Sequence, residues 1–327
     1  MLMWGLSGGL VFAAGVVFSM VSYSSFDLSL AHLWSYLSDF DSSNMEHQIL
    51  ATLRAPRVLT SMLIGINLAI SGTLMQGLTA NPLAAPSILG VNAGASCFIA
   101  LSSLNIAFLP QVSVSVSAFL GGAFSGLLVL SLGGYFSARS HPVKLILAGI
   151  AVNALLVGVT RSALILADDM AYSVLTWLAG SVSNITWQDW LAFWPVSLVA
   201  IIMTMFLSRS LNLLALGDDI ATGLGVNTTR TRLFSCVAIL LLTTSSVAIA
   251  GPIAFVGLLV PHIARKIVGN NHFILIPVSA LLGASLLLWS DVVSRMVAFP
   301  AETPVGIITA LIGSPFFIFL AIKSKMS

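Results

Sequence analysis

The chain has 327 residues, of which 58% are hydrophobic and only 7% charged, and its mean hydropathy is +1.04. Soluble domains carry about a quarter charged residues, so this composition excludes a soluble fold and describes an all-α polytopic membrane protein. The net charge of +2 comes from basic residues scattered among helix ends rather than gathered in a patch, which leaves no footprint for nucleic acid.

The first twenty residues are apolar, with no Lys or Arg ahead of them and no small-residue cleavage site behind them. They predict a first transmembrane helix at 3–22 rather than a removed signal peptide. From Val58 to Ala138 there is no Asp, Glu, Lys or Arg. As one helix that run would reach about 120 Å, whereas a bilayer core of about 30 Å takes about 20 residues. It must cross several times. Proline cannot continue a helix and restricts the residue before it, so Asn81-Pro-Leu-Ala-Ala-Pro86 and Pro110 divide the run into crossings at 58–79, 88–107 and 113–137. Further crossings are predicted at 144–166, 190–207, 233–250, 253–268, 274–297 and 304–322, which makes ten, the eighth being short.

Lys and Arg gather in cytoplasmic loops. With both termini cytoplasmic, Arg139, Lys144, Arg209, Arg230, Arg232, Arg265, Lys266, Lys323 and Lys325 all fall inside. Asp27, Asp39, Asp41, Glu46, Asp168, Asp169, Asp189, Asp291 and Glu302 then lie on or near the outer side. The even helix count and the two charge biases agree on this orientation. Residues 1–327 read as a single transmembrane domain.

Between the sixth and seventh crossings lies a polar island, Leu213-Leu-Ala-Leu-Gly-Asp-Asp-Ile-Ala-Thr-Gly-Leu-Gly-Val226, flanked by Arg209, Arg230 and Arg232. Asp218 and Asp219 are the only carboxylates on the predicted cytoplasmic face. Gly217, Gly223 and Gly225 permit sharp turns between two short helices, with both aspartates near the start of the second, where the helix dipole favours acids. The island reads either as a solvated loop or as a docking surface for a soluble partner.

No Gly-Lys dipeptide occurs, so the phosphate-cradling loop of nucleotide-binding ATPases is absent. Ion-coupled transporters place ionisable residues in mid-membrane. Here the candidates Arg161 and Asp291 both stand near the outer interface, which disfavours a secondary transporter, and no constellation for a membrane enzyme is found. Arg161 reads as a partner of Asp168 or Asp169, the alternative being an anion in the pathway. Cys97 and Cys236 read as buried free thiols. His262 has no partner at metal-ligand spacing and is expected in a structural hydrogen-bonding role. Gly72 and Gly77 suit close helix packing, and the dispersed methionines suit gap filling.

Five motifs occur in order: Arg54-Ala-Pro-Arg57; Gly72-Thr-Leu-Met-Gln-Gly77 with Asn81-Pro-Leu-Ala84 and Ile88-Leu-Gly-Val91; Leu214-Ala-Leu-Gly-Asp218 with Leu224-Gly-Val226; Gly251-Pro-Ile-Ala-Phe-Val-Gly-Leu-Leu-Val-Pro-His-Ile-Ala-Arg265; and Pro304-Val-Gly-Ile-Ile-Thr-Ala-Leu-Ile-Gly-Ser-Pro315. Together they resemble the permease subunits of ABC importers for iron chelates and vitamin B12, the FecCD family, over nearly the whole chain. Within it the resemblance leans to ferric citrate permease subunits of the D type.

The resemblance implies the type II ABC importer permease architecture, with about ten transmembrane helices, in a bacterial inner membrane. It implies a second permease subunit, a paralogue in citrate-type importers, together with two ATP-binding cassette ATPase subunits and a substrate-binding protein that docks from outside. The chain itself would bind no cofactor and no metal, ATP and Mg belonging to the partner ATPase. The implied cargo is an iron(III) chelate, citrate or a siderophore; a cobalamin or haem permease is the alternative, and an ion-coupled transporter the reading from another class.

From sequence, Arg54 and Arg57 stand at the outer surface just before the second crossing, where snorkelling to headgroups is one account. The resemblance implies another: Arg54, Arg57 and Arg295 pair with glutamates of the binding protein, a guanidinium fork suiting a carboxylate. Asp291, one turn before Arg295, is placed to compete for it as an i,i+4 pair. The resemblance also makes the stretch at about 208–232 the coupling element that enters a cleft on the ATPase, through Leu216, Gly217, Asp218, Asp219, Ala221 and Gly225. It assigns Asn81 and Leu83 to the cytoplasmic gate, where simple service as a helix break is the plain alternative.

Overall fold

The computed structural model describes residues 2–23, 28–104, 112–134, 142–166 and 171–324. Its regular structure is helical throughout those residues. In chain order the helices are α1 (Leu2–Val21), α2 (Leu30–Ser38), α3 (Met45–Ile49), α4 (Ala55–Thr79), α5 (Val91–Ser103), α6 (Val114–Leu132), α7 (Pro142–Leu166), α8 (Ala171–Leu178), α9 (Trp187–Leu214), α10 (Asp218–Gly223), α11 (Thr228–Ala250), α12 (Val256–Val268), α13 (His272–Val297) and α14 (Val305–Ser324). A π-helical turn, Leu50–Arg54, joins α3 to α4, and a 3-10 turn, Pro86–Leu89, precedes α5.

Each predicted crossing falls on one of these helices, namely α1, α4, α5, α6, α7, α9, α11, α12, α13 and α14. Six helical stretches, Met45–Thr79, Val114–Leu132, Val143–Leu166, Trp187–Leu214, Thr228–Ala250 and His272–Val297, are long and apolar enough to cross a membrane, and α1, α5 and α14 hold shorter apolar stretches. The chain is a multi-pass membrane protein. With 13 residues, α12 stands where the short eighth crossing was expected. It follows an irregular stretch that begins at Gly251 (φ 71°) and ends at Phe255, held in the left-handed region at φ 66°.

At the centre, α4 packs against α9, α11, α12 and α13. In a membrane the association of helices depends on close backbone approach, because lipid is as apolar as leucine. Glycine supplies that approach here. A Cβ at Gly72 would overlap the Gly257 carbonyl on α12, and one at Gly65 would overlap the Gly283 carbonyl on α13. The expected packing role of Gly72 is realised in this way; Gly77 instead faces the His272 ring, whose Nε2 would lie 2.9 Å from an added Cβ. Facing outward, α6, α7 and α9 expose Leu120, Leu127, Leu147, Ile150, Leu155 and Phe206, the side chains a lipid-facing band requires.

Two boundaries differ from the sequence expectation. The second crossing does not begin at 58: helical backbone runs unbroken from Met45 to Thr79. Pro56 has no amide proton, and it sits at the start of α4 directly behind the widened π turn, where that proton is not required. In the island, the first of the two expected short helices does not exist apart from α9, which continues to Leu214 as a single 28-residue helix. The second is α10. Pro110, Arg139, Asp27, Asp168, Asp169 and Lys325 lie outside the described residues.

Candidate functional site

The three arginines expected to dock a partner converge at one end of the bundle. Arg54 closes the π turn, Arg57 is in the first turn of α4 and Arg295 in the last turn of α13. All three line a cleft of about 420 Å³ together with Tyr23, Asn184 and Glu302. None of them is a free surface guanidinium, since their relative exposures are 8%, 7% and 1%. The sequence placed Arg54 and Arg57 ahead of a helix at the surface. They are buried because the helix starts earlier and carries them inside the bundle.

What holds them is Asp291, which is 0% exposed. Its Oδ1 accepts from Arg57 Nη2 at 2.7 Å and Arg57 Nε at 3.0 Å, and its Oδ2 accepts from Arg295 Nη2 at 3.0 Å and Ser19 Oγ at 3.1 Å. The i,i+4 pair anticipated between Asp291 and Arg295 is present. The shorter contact, to Arg57 on α4, was not anticipated. Arg295 also donates to the carbonyls of Ser22 at 2.8 Å and Ser19 at 3.1 Å, and Arg57 Nη1 donates to Glu302 Oε1 at 2.9 Å. A carboxylate ringed by two guanidiniums is how a buried charge is retained. Arg54 is held differently. It donates from Nη2 to the Tyr23 carbonyl at 3.3 Å, its Nη1 has no hydrogen-bond partner, and it makes no ion pair among the described residues. Three guanidiniums therefore face two carboxylates, and the surplus positive charge sits at Arg54.

Beside this cleft lies a cavity of about 540 Å³ whose polar lining includes Ser103, Ser115, Thr176, Ser181 and Asp189. Ser183, Asn184, Ile185 and Glu302 belong to both spaces. Trp187, the first residue of α9, fastens this end by donating to the Ala51 carbonyl at 2.8 Å.

The polar island is at the opposite end, where α9 finishes and α13 starts. Asn212, in the last turn of α9, accepts from the His272 amide at 2.8 Å and pairs with the His272 ring at 2.9 Å. Sequence reasoning passed over both residues, since an Asn and a His 60 positions apart carry no local signal. Beyond Asn212, Gly217 adopts φ 107° and ψ 154°, which an L side chain rarely takes, and so turns the chain sharply into α10. Asp218 and Asp219 occupy the first turn of α10, as expected from the helix dipole. Asp218 accepts from Arg232 Nη2 through both oxygens at 2.8 Å, which ties α10 to α11. Ala221 is the buried residue of α10, while Leu216, Ile220 and Leu224 are exposed at 57%, 53% and 59%. Gly225, at φ 81°, turns the chain back toward α11. Three large apolar side chains pointing out of a short polar element form a patch suited to contact with another surface.

At the same end, α4 stops at Ala80, which takes a left-handed conformation (φ 48°). Asn81 stiffens the turn that follows: its Oδ1 accepts from the Leu83 amide at 2.9 Å and its carbonyl from the Ala84 amide at 3.1 Å. The Asn81 side chain is thus engaged with its own turn. Leu83 lines a cavity of about 360 Å³ together with Leu68, Val247, Phe255, Leu258 and Phe317.

Cys97 and Cys236 are buried and unpaired, as the sequence implied. His262 leaves Nε2 without a hydrogen bond and sets its ring edge-on to Phe316 at 6.1 Å, a packing role in place of the expected hydrogen bond. Arg161 is exposed on α7. Among the described residues no group of three or more His, Cys, Asp or Glu could hold a metal ion.

The model of the FecCD transport family matches residues 11–323. The chain is 45% identical over 322 residues to the Fe(3+) dicitrate transport system permease protein FecC of Escherichia coli (strain K12), covering 98% of this chain and 96% of that one. It is 44% identical over 305 residues to the Fe(3+)-citrate import system permease protein YfmD of Bacillus subtilis (strain 168), covering 93% and 90%. Identity to FecD of E. coli is 37% over 290 residues, with 88% and 90% covered, so of the two E. coli subunits the C type is the more similar. A solved structure described as an inward-facing conformation of a metal-chelate type ABC transporter superposes with a TM-score of 0.82 at 31% identity, covering 97% of this chain and 98% of that one.

Proposed function

The chain belongs to the FecCD transport family and is a transporter permease rather than an enzyme; from that premise we propose that it carries an iron(III) chelate, ferric citrate foremost, through an ATP-driven importer of a bacterial inner membrane. The observation that carries this reading is the 45% identity to a ferric dicitrate permease across 98% of the chain. A second permease subunit, a paralogue, completes the pathway, two ATP-binding cassette subunits supply the energy, and a substrate-binding protein delivers the chelate.

The geometry supports a division of labour between the two ends. The arginine cleft offers positive charge to acidic groups of the binding protein, with Arg54 the guanidinium that makes no ion pair among the described residues. Leu216, Ile220 and Leu224 give α10 an apolar face for the ATPase, and its bond through Asp218 to Arg232 carries motion of α10 into α11. Closure of the ATPase dimer then pulls on α9 and α11, and the stiff turn at Asn81 with Leu83 at the cavity wall forms the gate that responds. The chain performs no covalent chemistry; the binding protein sets selectivity.

The test is uptake of radiolabelled iron by vesicles containing this chain, its paralogous permease, the ATPase and loaded binding protein, with citrate, catecholate and hydroxamate chelates and cobalamin compared. ATP-dependent uptake of ferric citrate is expected. Uptake of cobalamin alone, or uptake that proceeds without ATP, would overturn the proposal.

A further inference from the structure

We propose that Glu302 is a built-in stand-in for the docking partner's carboxylate: it holds one edge of Arg57 until an acidic group of the arriving protein displaces it, so that docking is an exchange of ion pairs. The inference rests on the docking role proposed above.

The two edges of the Arg57 guanidinium are held by very different carboxylates. Nε and Nη2 bind Asp291, whose side chain is 0% exposed and beyond the reach of any partner. Nη1 binds Glu302, whose side chain is 36% exposed and lines the cleft. Only the second contact can be exchanged from outside. Glu302 also sits on the non-helical stretch between α13 and α14, where the Thr303 amide donates to the Ser294 carbonyl at 3.1 Å. Glu302 is the exposed member of the pair, and when it leaves Arg57 keeps both bonds to Asp291, so its release strands no bare guanidinium.

Charge and chemistry favour the same exchange. With Glu302 in place Arg57 is fully paired, and a neutral or basic partner has nothing to offer that would break the pair. A partner carboxylate replaces Glu302 like for like and gains a second foothold at Arg54, whose Nη1 is unpartnered in the same cleft. Discrimination thus comes from a contact that must be displaced as well as from one that is made. Because Glu302 also lines the adjoining cavity of about 540 Å³, its displacement alters the charge facing that cavity at the moment of docking.

The experiment measures the dissociation constant of chelate-loaded binding protein on the assembled transporter in nanodiscs, for the parent, E302Q, E302A and R54Q. Removal of the competitor is expected to tighten docking about two- to fivefold in both Glu302 variants, the span corresponding to an ion pair with one exposed member, with the gain shrinking at high salt. R54Q is expected to weaken docking. Weakening by R54Q together with unchanged or weaker docking in E302Q and E302A overturns the stand-in role and leaves the docking role standing. No effect from any variant overturns the docking role itself.

Discussion

Replacing Asp291 by Asn is the sharpest test of the buried junction. The side chain keeps its shape but loses its charge, and one of its two acceptor oxygens becomes a donor aimed at guanidinium donors. Removing one member of a buried ion pair costs about 3–5 kcal/mol. The lower end applies here, since Arg57 keeps Glu302 at 2.9 Å and Arg295 keeps the Ser22 and Ser19 carbonyls. A loss of about 3 kcal/mol corresponds to a fall in melting temperature of roughly 4 °C for a chain of this size. Scanning fluorimetry in detergent, run on the parent, D291N, R57M and the double variant, reads it directly. The double variant should fall short of the sum of the single effects by at least about 1 kcal/mol, because the two side chains share one contact. A D291N protein that melts within a degree of the parent, or strictly additive variants, would refute the claim that Asp291 pins α4 to α13.

Charge reversal at Arg54, Arg57 and Arg295 together, the test that sequence alone suggests, would confuse docking with folding, because two of the three hold Asp291; R54Q alone should weaken docking while shifting the melting temperature far less than D291N does. Gly217→Val meets no neighbour within 4 Å, so its cost of about 1–3 kcal/mol comes from the backbone conformation alone; the ratio of chelate imported to ATP hydrolysed should fall, and an unchanged ratio would remove Gly217 from the coupling role. Asp218→Ala breaks a pair whose side chains are 22% and 51% exposed, so stability should move by less than about 1 kcal/mol while ATP-driven uptake drops; normal uptake would exclude Asp218 from coupling. Gly72→Ala drives a Cβ into the Gly257 carbonyl, whereas Gly158→Ala meets nothing within 4 Å, so the yield of folded protein should collapse for the first and hold for the second.

The fold was legible where physics is one-dimensional. Hydropathy and proline located a helix at each predicted crossing, because a bilayer fixes both length and polarity segment by segment. The short helices α2, α3 and α8 escaped, since short helices carry little periodicity, and the continuous helix through Arg54 escaped because Pro56 reads as a start signal. The island was half legible: the glycines marked the turns around α10, but nothing local showed that α9 would run on to Leu214. At the arginine cleft the i,i+4 pair of Asp291 with Arg295 was readable because helix geometry sets it. The bond from Arg57 to Asp291, 234 positions away, was not, for it depends on how α4 and α13 meet. The same holds for Glu302, an ordinary loop acid until the fold brings it to Arg57.

The distance in sequence between Arg57 and Asp291 also governs how the protein comes into being. A chain made from its N-terminus delivers α4 to the membrane with Arg57 aboard long before the ribosome has made the counter-charge, 234 residues later. α13, by contrast, arrives carrying Asp291 and Arg295 as a pair that offset each other within one turn, which lowers the burden of inserting it. Until α13 arrives, the Arg57 end of α4 lacks the carboxylate that holds it in the finished bundle. Its arginine gains its buried counter-charge only when α13 packs against α4. A chain that stops short of α13 leaves Arg57 at that end of the bundle without the carboxylate that binds two of its nitrogens.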